Sequence, residues 1–164
     1  MVASTSAQRV VEAARHLGLD IQIREFPEGT RTAEDAARAI GVQVGQIVKS
    51  LVFIADARPV VCLISGANRL DPARLQEISG AKEVRRADAD QVRESTGFAV
   101  GGVPPFGHNA SVTVYCDRDL LAYEVVWAAA GTPMTVFSIE PGRLASVCKA
   151  VIGDLKVLPE GKGE

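Results

Sequence analysis

The chain has 164 residues, of which 47% are hydrophobic and 23% charged, and its formal net charge is −2. This composition is typical of one globular domain and excludes an intrinsically disordered chain. No apolar run is long enough to cross a bilayer, and the N-terminus lacks the pattern of a signal peptide, so we expect a cytoplasmic protein without a membrane partner. The small negative charge does not indicate nucleic-acid binding by the whole chain, although a local basic face is compatible with it.

The N-terminal part of the sequence predicts a helix, a strand and a second helix. The first helix begins near Ser6, continues to about Leu17 and stops at a glycine. Residues 19–26, LDIQIREF, alternate apolar and polar side chains, which indicates a half-buried strand. Thr32 is expected to cap the second helix, which ends at Gly41.

The middle of the sequence predicts a hairpin followed by three short elements. Two apolar, β-branched runs, residues 47–55 and 59–65, should pair as an antiparallel hairpin. Asp71 caps a helix that stops at a glycine, residues 82–87 form a short strand, and Asp88 starts another short helix.

The C-terminal half is predicted to be mostly extended. Three segments have strand-like patterns: residues 111–117, 123–131 and 132–139. Pro141 then begins a last helix that continues to about Val151, and residues 159–164 read as a loose tail. Because hairpins imply antiparallel pairing, we expect one α+β (α/β) domain over residues 1–158, with a mixed, mostly antiparallel sheet surrounded by helices.

Lys49 is the first unusual feature of the sequence. Both faces of its predicted strand are apolar, so the strand should be central in the sheet. An unpaired buried ammonium is costly, so the Lys49 side chain must either extend to solvent or meet an anion. The sequence leaves these two alternatives open.

The second unusual feature is the stretch STGFAVGGVPPFGH, residues 95–108. Its glycines allow positive φ angles and close approach of a ligand to the backbone, whereas Pro104 and Pro105 stiffen the same loop. Such a loop is either a shaped turn between elements or a rigid ligand-binding loop.

Lys49 in IVKSLVF, followed about fifty residues later by TGFAVGGVPPFGH, resembles the YbaK family, which is related to the editing domain of bacterial prolyl-tRNA synthetases. The similarity extends from the first helix to PGRLASVCKAVI. It implies a compact mixed sheet ringed by helices, and a free-standing enzyme that hydrolyses the ester of a mischarged aminoacyl-tRNA.

The resemblance also implies roles for individual residues. Lys49 matches the functional lysine of the family, and the Gly-x-x-x-Pro loop would position the terminal adenosine and the aminoacyl group. This loop, named the glycine–proline loop below, consists of Gly101, Gly102, Val103, Pro104 and Pro105. Further substrate-binding residues implied by the alignment are Phe26, Thr32, Ser50 and Gly131.

The sequence departs from the cysteinyl-tRNA deacylases of the family at several pocket positions. Thr32 stands where they carry an aromatic residue, and Val136 where they carry an aspartate. Ala129 and Ala130 precede Gly131 where they have Ser-Gly-Gly or a similar sequence. The amino acid that is removed therefore stays open.

The sequence offers few other catalytic groups. It has no Ser-His-Asp signature and no metal-ligand motif such as HExxH, so neither a metal nor another cofactor is expected. The three cysteines are distant and odd in number, which favours reduced buried thiols. His108 ends the loop motif and is expected to bond the loop or meet RNA rather than act as a base.

Ester hydrolysis passes through an oxyanion, and the Lys49 ammonium could stabilise that charge or a neighbouring phosphate. The resemblance assigns activation of water to backbone groups and to the ribose hydroxyl. Candidate phosphate contacts are Arg24, Lys82, Arg85, Arg86 and Arg118, although each of them taken singly is better explained as a solvated charge. Selection of the tRNA would then depend on the acceptor end or on a partner synthetase.

Two other functions compete with the deacylase. One is a non-catalytic module that binds the 3′ end of tRNA or an aminoacyl group, and the other is a hydrolase of a small ester unrelated to tRNA. Retention of Lys49 and of the glycine–proline loop favours the deacylase.

Overall fold

The computed structural model describes residues 5–26 and 32–158. Within these residues the chain forms five α-helices, two short 3-10 helices and eight strands. The α-helices are α1 Thr5–His16, α2 Ala33–Ile40, α3 Pro72–Ser79, α4 Ala89–Thr96 and α5 Pro141–Val147. The strands are β1 Arg24–Glu25, β2 Ile47–Ala55, β3 Arg58–Ser65, β4 Val84–Arg86, β5 Thr113–Asp117, β6 Val126–Ala129, β7 Thr135–Ile139 and β8 Val151–Gly153.

All eight strands belong to one mixed sheet. Its order is β1-β7-β6-β2-β3-β5-β8, and β4 adds to β2 beside this path. The β1–β7, β2–β3, β2–β4 and β6–β7 pairs are antiparallel, whereas the β2–β6, β3–β5 and β5–β8 pairs are parallel. The predicted fold class is therefore confirmed, including the hairpin of β2 and β3.

The sheet has two covered faces, because side chains alternate along each strand. On the first face, Val48, Val52 and Ala128 belong to the largest core cluster, which α1, α4, α5 and the loop after α4 cover. On the second face, Phe53 packs in a cluster with Leu75 of α3. Beside it, α2 packs on Ile47 of the same face. This two-sided burial explains why both faces of β2 are apolar in the sequence.

The predicted helix caps are present. Thr32 Oγ1 accepts a hydrogen bond from the Asp35 amide at 3.0 Å, and α2 ends at Gly41 with φ 90°. Asp71 caps α3, which ends at Gly80, and Asp88 forms a capping box with Gln91 at the start of α4. These boundaries were predictable because each cap is formed by residues close in sequence.

Two predicted elements are wrong in extent. The alternation in residues 19–26 correctly indicates burial of Leu19, but only Arg24 and Glu25 pair with β7, so most of this segment has no strand partner. The last helix ends at Val147 rather than near Val151, because Lys149 adopts a left-handed φ of 51°. The residues that follow form β8, which pairs with β5 and was not predicted.

The predicted tail, residues 159–164, lies outside the described residues. In the part of the chain that is described, none of the helices combines the length and apolar character needed to cross a bilayer.

Candidate active site

A pocket lies beside a gap in the sheet. One edge of β2 pairs with β3 along its whole length, whereas the opposite edge pairs with β6 at Ile47 and Val48 and with β4 from Phe53 to Ala55. Residues 49–51 lie between these two pairings, and no described strand pairs with that part of the edge, whereas the Val52 carbonyl accepts a hydrogen bond from the Ala87 amide at 3.0 Å. The gap opens into a pocket of about 500 Å³, a volume typical of small-molecule sites.

The pocket has a charged part on the second face of the sheet. Lys49 projects to this face, and the Phe53–Arg86 pairing places Arg86 on it too. The Arg86 guanidinium carbon lies 5.9 Å from the centre of the Phe53 ring. Glu34, from the first turn of α2, is the acidic side chain among the described residues that line the pocket.

Lys49 neither extends freely to solvent nor forms an ion pair with a described carboxylate. It is half-buried, and its ammonium donates a hydrogen bond of 2.6 Å to the Asn68 backbone carbonyl. Burial lowers the pKa of Lys49, because a buried environment disfavours the charged form, and Arg86 acts in the same direction. Glu34 and Asp117 oppose this change. The ammonium keeps further donors that can face a ligand in the pocket.

The other part of the pocket, on the first face, is mostly apolar. Its walls include Val52, Val92, Val103 and Ala128. Ser50 projects between the apolar side chains of β2 toward this part, and its Oγ is buried without a hydrogen-bond partner among the described residues. A buried hydroxyl in this state is satisfied by water or by a ligand.

The glycine–proline loop packs against a second glycine turn. A β-carbon placed on Gly102 would lie 2.7 Å from Thr132 Cα and 2.9 Å from the Gly131 carbonyl oxygen. The two backbones therefore touch, and this contact requires glycine at position 102. Gly101 adopts a φ of 93° and lines the pocket, so its requirement for glycine is conformational.

The far side of the loop is held by two neutral side chains. His108 Nε2 lies 2.7 Å from the Pro104 carbonyl, to which the neutral imidazole donates. Burial lowers the pKa of His108, although the Pro104 hydrogen bond opposes this effect. Cys148 Sγ donates to the Pro105 carbonyl at 3.3 Å. The loop is thus fixed from behind, away from the pocket.

The structure brings only some of the sequence-predicted site residues to the pocket wall. Those that line it are Thr32, Lys49, Ser50, Gly101 and Val103. The wall does not include Gly102, Pro104, Pro105 or Gly131, which support it, or His108, which bonds the loop. Phe26 also lies outside the wall, where its ring centre is 5.2 Å from the Arg24 guanidinium carbon.

Two wall residues, Glu34 and Trp127, were missed by the sequence analysis. An acidic residue in the first turn of a helix has an ordinary explanation in the helix dipole, so Glu34 carried no distinctive signal. Trp127 was hidden in a predicted strand, and its indole Nε1 is buried without a partner among the described residues. Both residues reach the pocket only because α2 and β6 meet beside β2.

The basic residues proposed as phosphate contacts have different environments. Arg86 lines the pocket, and the guanidinium carbon of Arg24 lies 5.3 Å from the Trp127 ring beside it. Arg85 donates to Gln91, and Arg118 pairs with Asp154. Of this group, Arg86 therefore lines the pocket and Arg24 lies against a residue of its wall.

The cysteines are poor nucleophiles. Burial raises the pKa of Cys62 and Cys148 to about 12 and that of Cys116 to about 11. The reactive thiolate is therefore disfavoured at neutral pH.

The chain is similar to a known protein family and to solved structures. The family model described as "Aminoacyl-tRNA editing domain" matches residues 27–147. A solved structure of a proposed trans-editing enzyme for prolyl tRNA synthetase is 46% identical, with a TM-score of 0.91, and the match covers 96% of this chain and 100% of the other.

Two curated relatives show the same similarity in different contexts. The proline–tRNA ligase of Maridesulfovibrio salexigens is 32% identical over 133 residues, which are 80% of this chain but only 22% of the ligase. EbsC of Enterococcus faecalis, named as a proposed Cys-tRNA(Pro)/Cys-tRNA(Cys) deacylase, is 27% identical over 156 residues, covering 87% of this chain and 92% of EbsC. The family match extends over most of the chain and contains Lys49 and the glycine–proline loop, and the chain therefore belongs to the aminoacyl-tRNA editing domain family.

Proposed function

We propose that this protein is a trans-editing deacylase, which hydrolyses the ester bond between a wrong amino acid and the 3′ end of a tRNA. The observation that carries this proposal is the Lys49 ammonium, held in a pocket that the glycine–proline loop closes on the opposite side. Aminoacyl-tRNA is made in the cytoplasm, where we expect the enzyme to act.

Lys49 has the role of an electrostatic catalyst in this proposal. Attack of water on the ester carbonyl creates a tetrahedral intermediate with an oxyanion. A partly desolvated ammonium stabilises this charge, or that of the adjacent phosphate, more strongly than an ammonium in water does. Because the Asn68 carbonyl already orients the ammonium, little reorganisation is needed during the reaction.

The other charged residues of the pocket suit the two ends of the substrate. An aminoacyl ester carries a free α-ammonium, and Glu34 is the carboxylate that lines the pocket on the Lys49 side. The tRNA end carries phosphates, and Arg86 places a second cation near Lys49. We assign the α-ammonium to Glu34 and a terminal phosphate to Arg86.

The apolar part of the pocket suits the amino-acid side chain. Its valine and alanine walls favour a small group, and the unpartnered Ser50 hydroxyl can bind a polar substituent or a water molecule. No described side chain in this part is a strong base, so we assign water activation to loop backbone groups and to the ribose hydroxyl of the substrate. Orientation and electrostatics then supply most of the rate.

The names of the relatives favour a particular tRNA, but they do not favour a particular amino acid. A proline–tRNA ligase and a solved structure named for prolyl tRNA synthetase favour tRNA(Pro) as the carrier, and a prolyl-tRNA synthetase as a working partner. Cysteine does not transfer from the name of EbsC, because Thr32 and Val136 depart from the cysteinyl-tRNA deacylase pattern.

The decisive experiment is a deacylation panel. Alanyl-, seryl-, threonyl- and cysteinyl-tRNA(Pro) are incubated with the parent protein and with Lys49→Ala, and prolyl-tRNA(Pro) is the correctly charged control. We expect hydrolysis of at least one mischarged species by the parent, little by Lys49→Ala and none of prolyl-tRNA(Pro).

Two additions to the panel, a tRNA-binding measurement and the free amino-acid esters as substrates, separate the alternatives. Tight binding of every tRNA without turnover would indicate the non-catalytic module. Hydrolysis of free amino-acid esters at the rate of the tRNA ester would indicate a small-ester hydrolase. Either result would overturn the proposed function.

A further inference from the structure

We propose that Asn68, Asp119 and Lys156 form a positioning relay that holds the Lys49 ammonium at the pocket, so that the C-terminal segment completes the active site. The proposal rests on the catalytic role of Lys49 proposed above.

The relay starts at the hydrogen bond between Lys49 and the Asn68 carbonyl. The Asn68 side-chain amide donates to Asp117 Oδ2 at 2.8 Å and to Asp119 Oδ2 at 2.9 Å. Both amide hydrogens are thereby used, and the turn that carries the acceptor of Lys49 is fixed by its own side chain. Lys156 Nζ then donates to Asp119 Oδ2 at 2.8 Å.

Asp117 anchors the relay inside the fold. Its exposed fraction is 1%, and it also accepts hydrogen bonds from the Ser65 and Asp119 amides, both at 3.1 Å. These contacts connect the end of β3 to the end of β5. A buried carboxylate with several donors is a rigid reference point for the Asn68 amide.

The charges of the relay balance. The Lys156 ammonium donates directly to Asp119, whereas the Lys49 ammonium is linked to the Asp117 and Asp119 carboxylates through the neutral Asn68 residue. Lys156 is the main reason that the pKa of Asp119 lies below its ordinary value, with the Asn68 hydrogen bond acting in the same direction. Removal of Lys156 would leave two neighbouring carboxylates without their outer cation, which would loosen the clamp on Asn68.

Lys156 belongs to a segment that follows the family match, which ends at residue 147. The Asp71 amide donates to the Leu155 carbonyl, and the Val157 amide donates to the Arg69 carbonyl, both at 2.8 Å. The segment therefore pairs with the chain directly after Asn68. It adds a charged contact to the site although the family model does not include it.

The chain provides a matched control for Lys156. Arg118 Nε donates to Asp154 Oδ1 at 3.1 Å, and this exposed pair also links the residues after β5 to the C-terminal segment. Unlike the Lys156–Asp119 pair, it makes no contact with Asn68. Asp154→Asn therefore removes a nearby ion pair but none of the hydrogen bonds of the relay, and the Asp154 charge is the weakest of the influences on the pKa of Lys156.

The test measures single-turnover hydrolysis of the aminoacyl-tRNA that the parent cleaves, over a range of enzyme concentrations. We expect Asn68→Ala to lower the maximal rate about tenfold to a hundredfold, as is typical when a supporting contact of a catalytic group is lost. Asp119→Asn and Lys156→Met should lower it by a smaller factor. Half-saturating concentrations should stay near the parent value, Lys156→Arg should recover most of the rate, and Asp154→Asn should match the parent.

A double-mutant cycle separates positioning from a general structural effect. In a Lys49→Ala background, Lys156→Met should cause no further loss of rate, because the group that it positions is absent. An equal loss in both backgrounds would overturn the relay, as would parent rates for Asn68→Ala. Should Asn68→Ala fail to fold, the variants of the partly exposed Asp119 and Lys156 decide the question.

A second measurement is independent of turnover. Lysine side-chain NMR with 15N and 13C labels follows the Lys49 signal, which is assigned by its loss in Lys49→Arg. Lys156→Met should shift this signal and Asp154→Asn should not, and the absence of a shift would overturn the relay. A parent that cleaves no tRNA ester would refute the proposed function alone, because this shift would still be measured.

Discussion

Lys49 and the glycine–proline loop form opposite walls of one pocket, but they are held by different forces. The lysine is held by charge-assisted hydrogen bonds, which run through Asn68 to carboxylates. The loop is held by direct backbone packing on the 131–132 turn and by the neutral donors His108 and Cys148. A change on the lysine wall should therefore alter the rate and leave the stability of the fold unchanged, whereas a change on the loop wall should alter both the rate and the stability.

The largest effect is expected for Lys49→Ala. Loss of one electrostatic contact to a developing oxyanion typically costs a factor of about 100 to 1,000 in rate. Unfolding by heat should change little, because the half-buried ammonium gains only a carbonyl partner for its desolvation. Single-turnover hydrolysis and thermal unfolding of the same preparations measure both quantities.

Two further variants sharpen this result. Arg58→Ala removes an exposed cation that is not among the candidate phosphate contacts, and it should behave as the parent. Lys49→Arg should recover only part of the rate, because the guanidinium is larger and its donors have a fixed geometry. If a folded Lys49→Ala protein hydrolysed the substrate at a near-parent rate, Lys49 would have no role in catalysis.

The second effect concerns Gly102→Ala on the loop wall. The added methyl group would overlap the backbone of Gly131 and Thr132, so the two turns must separate. We expect a loss of about 1–3 kcal/mol in the free energy of unfolding, as for other overpacked sites. A displacement of about 1 Å at the pocket wall can cost about a hundredfold in rate. Urea unfolding and hydrolysis rates measure the two losses.

Control variants separate the effect of the contact between the two turns from the effect of backbone strain at a glycine. Gly80 has a φ of 73° and open space around its β-carbon position, so Gly80→Ala should lower stability and keep the rate. Gly101→Ala should fall between the two, since its β-carbon would meet only the Pro133 ring at 3.6 Å but its φ of 93° is unfavourable for alanine. Equal rates for Gly102→Ala and Gly80→Ala would show that the contact between the turns does not matter.

Features that are determined by residues close in sequence could be predicted from the sequence. The hairpin, the caps at Thr32, Asp71 and Asp88, and the unusual position of Lys49 all follow from neighbouring residues. The pocket itself does not, because it forms where β4 and β6, which are distant in sequence, share one edge of β2. The relay partners Asn68 and Lys156 were missed for the same reason.

The third effect concerns Glu34, which we expect to distinguish substrates with an α-ammonium from substrates without one. Glu34→Gln should reduce kcat/KM for an alanyl ester about tenfold, the effect of losing a hydrogen bond between charged groups. It should leave the lactyl ester of the same RNA nearly unchanged, because a hydroxyl replaces the α-ammonium there. The ratio of the two substrates is the measurement, since any indirect effect on Lys49 cancels in it. Glu94→Gln, on the exposed side of α4, should keep the parent ratio, and an unchanged ratio in Glu34→Gln would contradict the assignment.

The smallest effect is the pH dependence of the free energy of unfolding that results from His108, which holds the loop wall. Burial lowers the folded-state pKa of His108 below its ordinary value of 6.5, so the unfolded chain binds a proton more readily. The contribution of His108 to stability is therefore present above pH 6.5 and is lost as the pH falls through the folded-state pKa. Urea unfolding between pH 8 and about pH 5 should show a steeper loss for the parent than for His108→Gln, which can still donate to Pro104 but does not titrate. His16→Gln replaces the other histidine, which is exposed on α1, and serves as the control for a histidine-to-glutamine change outside the loop wall. Identical slopes for the parent and His108→Gln would show that the loop wall does not depend on a neutral imidazole.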